Sequence, residues 1–479
     1  MKKYTILIFL FIMLIFVFNW KYFFYPPILK FDSANTQAGI CALNYLRYGP
    51  FKLGFTQILN PGNISKDFSK IIYWSWPPFI FLLTALNLKI FGVDVSVIRI
   101  QTYAFYLFFL YIFYLFLKKT FGYRIAFVSI LLLIFMPVNI YYRKFAFPEN
   151  YSLMFLIIIL ILYNKWCENY EKKYFMFFGF VSIFSLLIWW DTFFLIVSIT
   201  FIHIITKQKK LKYLFITTAT LLFFFIFYYI FVFVFNEIEF TSFIDKFKSR
   251  GVLSVGNIPF KEYLIYEIKR QFILFGLLPI IFIFSLIICF FKFKKKNFKY
   301  YISTEIKILM IFTVYNILYH FFTYSSAYNH EYWAINYGLI YCLTPFFLLK
   351  ILKNKIIYLG VIFIILISST IFYRLNFTRI RGYRQWYNIS KVTNYHLKEN
   401  EVMLTNMDSL PYYYCSFIIQ RNYVIGLKSI EDFKNQIKKL NSYKKYIIIQ
   451  NTESNKYLIE NLNKEFKYIL MNGYYIYNI

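Results

Sequence analysis

The sequence predicts an α-helical polytopic membrane protein of about eleven crossings with a small C-terminal α/β domain, and three observations predict it. Of its 479 residues 60% are hydrophobic and 25% aromatic while only 16% are charged, too apolar a balance for a soluble domain. The apolar residues fall in blocks of about 15 to 25, the length that crosses about 30 Å of hydrocarbon as helix. From about residue 376 this texture gives way to mixed polar sequence with short β-rich runs.

The blocks lie near residues 4–20, 97–117, 123–141, 150–165, 173–189, 191–206, 211–235, 271–291, 306–323, 334–350 and 355–373. The formal charge of +31 would suit a nucleic-acid partner, but the lysines sit in short clusters between the blocks, where they fix orientation across a bilayer. These clusters are Lys2-Lys3, Lys118-Lys119, Lys165 to Lys173, Lys207 to Lys212, Lys292 to Lys299 and Lys350 to Lys355. If all face the cytoplasm, two crossings separate each from the next. The run Pro78 to Phe91 is left over. At about 14 residues it rises only about 21 Å as helix, too little to cross, so it is expected to be re-entrant or interfacial on the outer side. This topology puts 21–96, 146–150, 236–270 and 324–333 outside, and the odd number of crossings puts the C-terminal region there too.

The first block follows Lys2-Lys3 and lacks a small-residue cleavage site, so it is expected to be retained as a span. Cys41, Cys167, Cys289, Cys342 and Cys415 are scattered without metal or redox spacing, and no disulfide framework is expected. In the C-terminal region, 376–479, strand-like runs Glu401 to Met407, Tyr423 to Leu427, Tyr446 to Gln450 and Tyr468 to Tyr477 alternate with helical stretches Ser429 to Leu440 and Asn455 to Phe466.

Acidic residues are scarce in the first 150 positions: Asp32, Asp67, Asp94 and Glu149. The topology puts Asp32 and Glu149 at the outer boundary, each beside an apolar stretch. Asp32 follows Tyr25-Pro26-Pro27 and opens a helical stretch up to Gly49, so one reading of it is a helix cap. Glu149 is likewise read as a first-turn charge favoured by the helix dipole. Arg99 and Lys144 have an interfacial-anchor reading, and the turn His330-Glu331-Tyr332-Trp333 that of an ordinary aromatic boundary. Asp191 follows Trp189-Trp190 at a turn on the same side.

Asp32, a helix, Gly49, Trp76-Pro77-Pro78, a short apolar helix, Gly92 and Arg99 occur in an order that resembles the first outer loop of the C-type glycosyltransferases. Glycosyltransferase family 39, which includes protein O-mannosyltransferases and aminoarabinose transferases, is the group it is most similar to. Tyr142-Arg143-Lys144 to Phe147-Pro148-Glu149-Asn150 resembles that family's second acidic site, and His330-Glu331-Tyr332 a His-acid-aromatic element. Two positions depart from the pattern: Ser33 stands where a second acid is common, and Trp76 where a histidine is common.

The resemblance implies transfer of a sugar from a polyprenyl-phosphate donor to a glycan, lipid or protein acceptor at the outer face of the plasma membrane. A carboxylate at Asp32 would serve as base near the acceptor, while Glu149 would position the acceptor or tune Asp32. Arg99, Arg143, Lys144, His330, Glu331, Tyr332 and Trp76 would border the donor phosphate and sugar, with guanidinium forks suited to phosphate oxygens. No residue set requires a cofactor, and a divalent metal is left open. The competing reading is a transporter or flippase of lipid-linked sugars, which would place its charges at mid-membrane rather than at one boundary. A structural subunit of an envelope complex is a third.

Overall fold

A computed structural model describes residues 23–24, 32–60, 62, 64, 70–73, 76–236, 259–294, 303–323, 331–352, 354–377, 401–405, 423–424, 427–440, 444–450, 452–471 and 474–479. The first expected span, 4–20, lies outside them. The chain divides into two compact units, one of residues 1–20 with 102–379 and the other of 21–101 with 380–479.

In the first unit every apolar block within the described residues is helical. Among the described residues, six helices are long and apolar enough to cross a membrane: Val95–Phe121, Pro148–Asn169, Leu211–Asn236, Thr304–Phe322, Tyr332–Ile351 and Ile356–Arg374. A seventh is obtained if Lys261–Phe275 and Leu278–Ile288, bent by 103°, count as one. Tyr123–Phe135 and Asp191–Ile205 are apolar but shorter. Besides the 271–291 block, interrupted at Gly276-Leu277, two blocks expected to be single helices are broken. The 123–141 block stops at Met136, and Pro137 opens a new helix, Pro137–Tyr142, because proline lacks the N–H that a continuing helix needs. The 334–350 block begins as the 3-10 helix Glu331–Tyr337 and continues as Gly338–Tyr341 and Thr344–Ile351. The two breaks meet: a Cβ on Gly338 would stand 3.1 Å from Leu133 Cδ1 and 3.4 Å from Met136 Sδ, so glycine permits this approach.

The sequence reading put the whole of 236–270 outside the membrane, but part of it belongs to an apolar helix pair. Phe260–Phe275 is helical, and Glu267, Arg270 and Gln271 on it are buried, with Arg270 and Gln271 both donating to the Glu267 carboxylate.

Three of the lysine clusters, at 118–119, 165–173 and 207–212, gather at one end of this unit. Lys119 reaches Glu168 at 2.8 Å, and Lys210 Nζ donates to the Tyr170 carbonyl at 3.3 Å. Glu168 closes the helix that Pro148 and Glu149 open, about 30 Å away at 1.5 Å per residue. The opposite end is therefore where Glu149 stands.

In the second unit the helix Asp32–Tyr48 ends at Gly49, whose φ of +83° suits a residue without Cβ. It packs along Phe79–Phe91, which buries Ile80, Phe81, Thr84, Ala85 and Leu88. Asn44 Nδ2 donates to the carbonyls of Ile58 and Asn60 at 2.8 and 3.0 Å, holding the short antiparallel pair β1 (Gln57–Ile58) and β2 (Ile72–Tyr73) against the helix.

The same unit carries five strands: β3 (Glu401–Leu404), β4 (Tyr423–Val424), β5 (Lys444–Gln450), β6 (Tyr468–Met471) and β7 (Tyr474–Asn478). Their order is β4-β3-β5-β7-β6, parallel among the first three and antiparallel at β5/β7 and β7/β6. Val402, Leu404, Ile447, Ile449 and Tyr477 pack with Phe433 and Leu462 of the helices Ile430–Lys439 and Lys456–Glu465. The run Tyr468 to Tyr477, expected as one strand, is a hairpin with Met471 opposite Tyr474. The intervening Asn472-Gly473 is the sequence signal for a two-residue turn.

Candidate active site

In the second unit, Asp32 and Arg99 form an ion pair, Arg99 Nη2 to Asp32 Oδ1 at 2.7 Å, with neither side chain exposed. Asn35, one turn along the helix, donates to the same oxygen at 3.1 Å. Arg99 Nη1 also reaches the Phe23 carbonyl at 3.4 Å. The sequence reading gave these two residues separate roles, carboxylate base and phosphate ligand, yet they are partners. A buried carboxylate requires such pairing, since desolvating an isolated charge costs several kcal/mol. Trp76 is buried within the loop's own packing, edge-on to Tyr73 at 5.8 Å and stacked with Phe81 at 5.9 Å.

In the first unit four chain segments meet at the end away from the lysines. Phe147-Pro148-Glu149 opens one helix, with proline at its favoured first-turn position. Asn150 secures that entry, donating to the Tyr142 and Phe145 carbonyls at 2.9 and 2.7 Å. Glu149 is fully buried and accepts from the Tyr319 hydroxyl at 3.3 Å. Trp189 Nε1 donates to that hydroxyl at 3.3 Å.

Asp191 is also fully buried rather than a turn residue at the surface. Its Oδ2 accepts from Ser152 Oγ at 2.9 Å and from Tyr315 Oη at 3.0 Å. Asn336 Nδ2 donates to Tyr315 Oη at 2.7 Å. Among the described residues Glu149 Oε2 and Asp191 Oδ1 have no hydrogen-bond partner.

Tyr332 stacks on Phe147, ring centroids 3.6 Å apart and 12° from parallel, so the start of the Glu331–Tyr337 helix is brought against the entry to the Glu149 helix. Trp333 packs within 6.1 Å of Trp189 and 5.4 Å of Tyr319. His330 and the Glu331 side chain lie outside the described residues. Arg143 is buried with its guanidinium 5.5 Å from the Tyr103 ring and 5.6 Å from that of Tyr106. Its Nε and Nη1 make no hydrogen bond among the described residues. Lys144 lies over Tyr141 and Phe145, at 5.3 and 5.6 Å. Among the described residues no three His, Cys, Asp or Glu side chains are grouped as a metal ion would need.

The sequence reading treated tyrosines within spans as packing and so missed Tyr315 and Tyr319, whose hydroxyls hold the two carboxylates. The available signal was the stretch Tyr315-Asn316-Ile317-Leu318-Tyr319-His320. Its polar groups recur at i and i+4 inside an apolar block, marking a face that is not turned to lipid.

Residues 75–232, about a third of the chain, match the family model described as dolichyl-phosphate-mannose-protein mannosyltransferase. No curated protein is similar enough in sequence to count as a match. Among solved structures, ArnT from Cupriavidus metallidurans bound to undecaprenyl phosphate is similar over 98% of this chain and 97% of that one, with a TM-score of 0.62 at 10% identity. The apo state of the same enzyme gives a TM-score of 0.56 at 11% identity, covering 93% of both chains. The Archaeoglobus fulgidus oligosaccharyltransferase gives 0.55 at 12% identity, over 94% of this chain and 69% of that one. The resemblance carried by the loop residues, the matching segment and the shared architecture agree: this chain is a multi-pass membrane protein with the ArnT fold, similar to glycosyltransferase family 39.

Proposed function

We propose that the protein is a membrane glycosyltransferase that moves a sugar from a polyprenyl-phosphate carrier to a hydroxyl or amine acceptor at the extracytoplasmic face of the plasma membrane. The observation that carries this reading is where charge is buried. Glu149 and Asp191 each stand in the first turn of their helices, at the end away from the lysines, instead of at mid-membrane where a transporter keeps its charged sites. The similarity to ArnT, solved with undecaprenyl phosphate, supports a polyprenyl carrier.

In the transfer, a carboxylate takes the proton from the acceptor O–H or N–H as the acceptor's lone pair attacks the anomeric carbon. The bond from that carbon to the phosphate oxygen breaks, its electrons staying on the carrier phosphate. We assign the base to Asp32, oriented by Arg99 and Asn35, and acceptor positioning to Glu149. Arg143 supplies N–H groups to the developing phosphate charge. Residues 376–479 are assigned to the outer face, as is the outer loop 21–96 of the transmembrane domain 1–375.

The experiment is purified protein in nanodiscs given undecaprenyl-phospho-mannose or undecaprenyl-phospho-aminoarabinose, with cleavage followed as release of undecaprenyl phosphate. Cleavage that vanishes in Asp32→Asn supports the transferase. Movement of the intact lipid-linked sugar across the bilayer without cleavage, whatever acceptor is added, replaces it with the flippase reading.

A further inference from the structure

We propose that Asp191 is a positioning residue for Glu149, acting through Ser152, Tyr315 and Tyr319; this rests on the glycosyltransferase reading above. Ser152 lies three residues after Glu149, and Tyr315 four before Tyr319, so each pair shares one face of its helix. Two rungs therefore join the Pro148–Asn169 and Thr304–Phe322 helices. In one, Tyr319 donates to Glu149. In the other, Asp191 Oδ2 receives both Ser152 and Tyr315. The Asp191 rung fixes how the two helices lie against each other one turn further in, and so sets where Tyr319 meets Glu149.

The direction of the tyrosine proton is set in both rungs. Tyr315 Oη accepts from Asn336 Nδ2, which leaves its own proton for Asp191. Tyr319 Oη accepts from Trp189 Nε1, which leaves its proton for Glu149 Oε1. Glu149 Oε2, without a partner among the described residues, is then the oxygen left to meet an acceptor hydroxyl or amine. A carboxylate is needed at 191 because one oxygen must accept two hydroxyl protons at once, where an amide would turn a donor toward one of them. Trp189 and Asp191 belong to one turn, so a single short segment orients both rungs.

The test compares Asp191→Asn and Tyr315→Phe with Glu149→Gln in the nanodisc cleavage assay, with rates normalised to the fraction of protein that binds undecaprenyl phosphate. Asp191→Asn is expected to lower kcat by about 10- to 100-fold and leave KM for the donor within about threefold. Tyr315→Phe removes one hydroxyl and is expected to lower kcat by about 3- to 10-fold, which keeps the test decisive if Asp191→Asn does not fold. A merely structural role would reduce the binding-competent fraction and leave the normalised kcat alone, and that result overturns the proposal. Inactive Glu149→Gln beside fully active Asp191→Asn and Tyr315→Phe also overturns it. Fully active Glu149→Gln would instead reject the role given to Glu149 itself.

Discussion

Arg99 and Asp32 are bonded to each other at 2.7 Å with both side chains fully buried, although 67 residues separate them in the chain. The pair gives the stretch between the two residues its fixed point, because Asp32 begins the Asp32–Tyr48 helix and Arg99 lies in the opening turns of the Val95–Phe121 helix. Removing one member of a buried pair strands the other charge, which typically costs about 3–5 kcal/mol. Arg99→Met should therefore lower the thermal unfolding midpoint in detergent well below that of wild type. An Asp32→Asn/Arg99→Gln double variant should recover much of the midpoint but none of the transfer. Wild-type melting of Arg99→Met would show that the pair does not support the loop.

Arg143 should weaken carrier binding when replaced. Arg143→Ala removes a charge-assisted contact to phosphate usually worth about 1.5–3 kcal/mol, or on the order of 10- to 150-fold in affinity. Arg143→Lys should restore only part of it, since an ammonium lacks the planar fork and stacks less well on Tyr103 and Tyr106. Titration of nanodisc-embedded protein with undecaprenyl phosphate measures this, and equal affinities for all three proteins would remove Arg143 from the site.

Tyr319→Phe deletes one hydroxyl from Glu149 without changing ring packing against Trp190 and Trp333. Turnover should fall by about 5- to 50-fold, with a modest drop in melting because Trp189 Nε1 loses its acceptor. Unchanged turnover would show that Glu149 does not depend on this bond.

The helix Ile430–Lys439 begins with a capping box in which Ser429 accepts from the Asp432 N–H at 3.1 Å and Asp432 accepts from the Ser429 N–H at 2.9 Å. Bonds from the Ser429 and Lys428 backbone hold the Asp432 carboxyl below its usual range. A depressed carboxylate contributes stability above its unfolded value and loses it as pH falls through the folded one. Exchange protection of this helix, corrected for intrinsic rates, should be flat from pH 7 to about 5 and drop below about 4. Ser429→Ala should cost about 1 kcal/mol of local protection at neutral pH. Loss of protection already at pH 6 would assign the sensitivity elsewhere.

Sidedness is testable by labelling. A cysteine at Lys52, exposed in the first loop, and one at Lys438, exposed on the Ile430–Lys439 helix, should react with an impermeant thiol reagent applied to intact cells. One at Gln208, beside Tyr170 at the lysine end, should react only after lysis. The reverse pattern would invert the topology.

Hydropathy blocks and lysine positions are local properties, and the sequence by itself determined what depends on them: where most of the described membrane helices lie, that Phe79–Phe91 is too short to cross, and which ends of the helices carry the lysines. The same local logic singled out Asp32 and Glu149, because charge is costly beside apolar sequence and is kept there only with a partner or a use, while Arg99 and Arg143 were added by the family resemblance. Which partner each one has was decided by tertiary structure alone. Tyr319 meets Glu149 across 170 residues and Tyr315 meets Asp191 across 124, distances over which no spacing rule operates. Those contacts follow from how helices pack and in what register, and a one-turn shift of the Thr304–Phe322 helix would move each hydroxyl by about 5.4 Å, out of hydrogen-bond reach of its carboxylate.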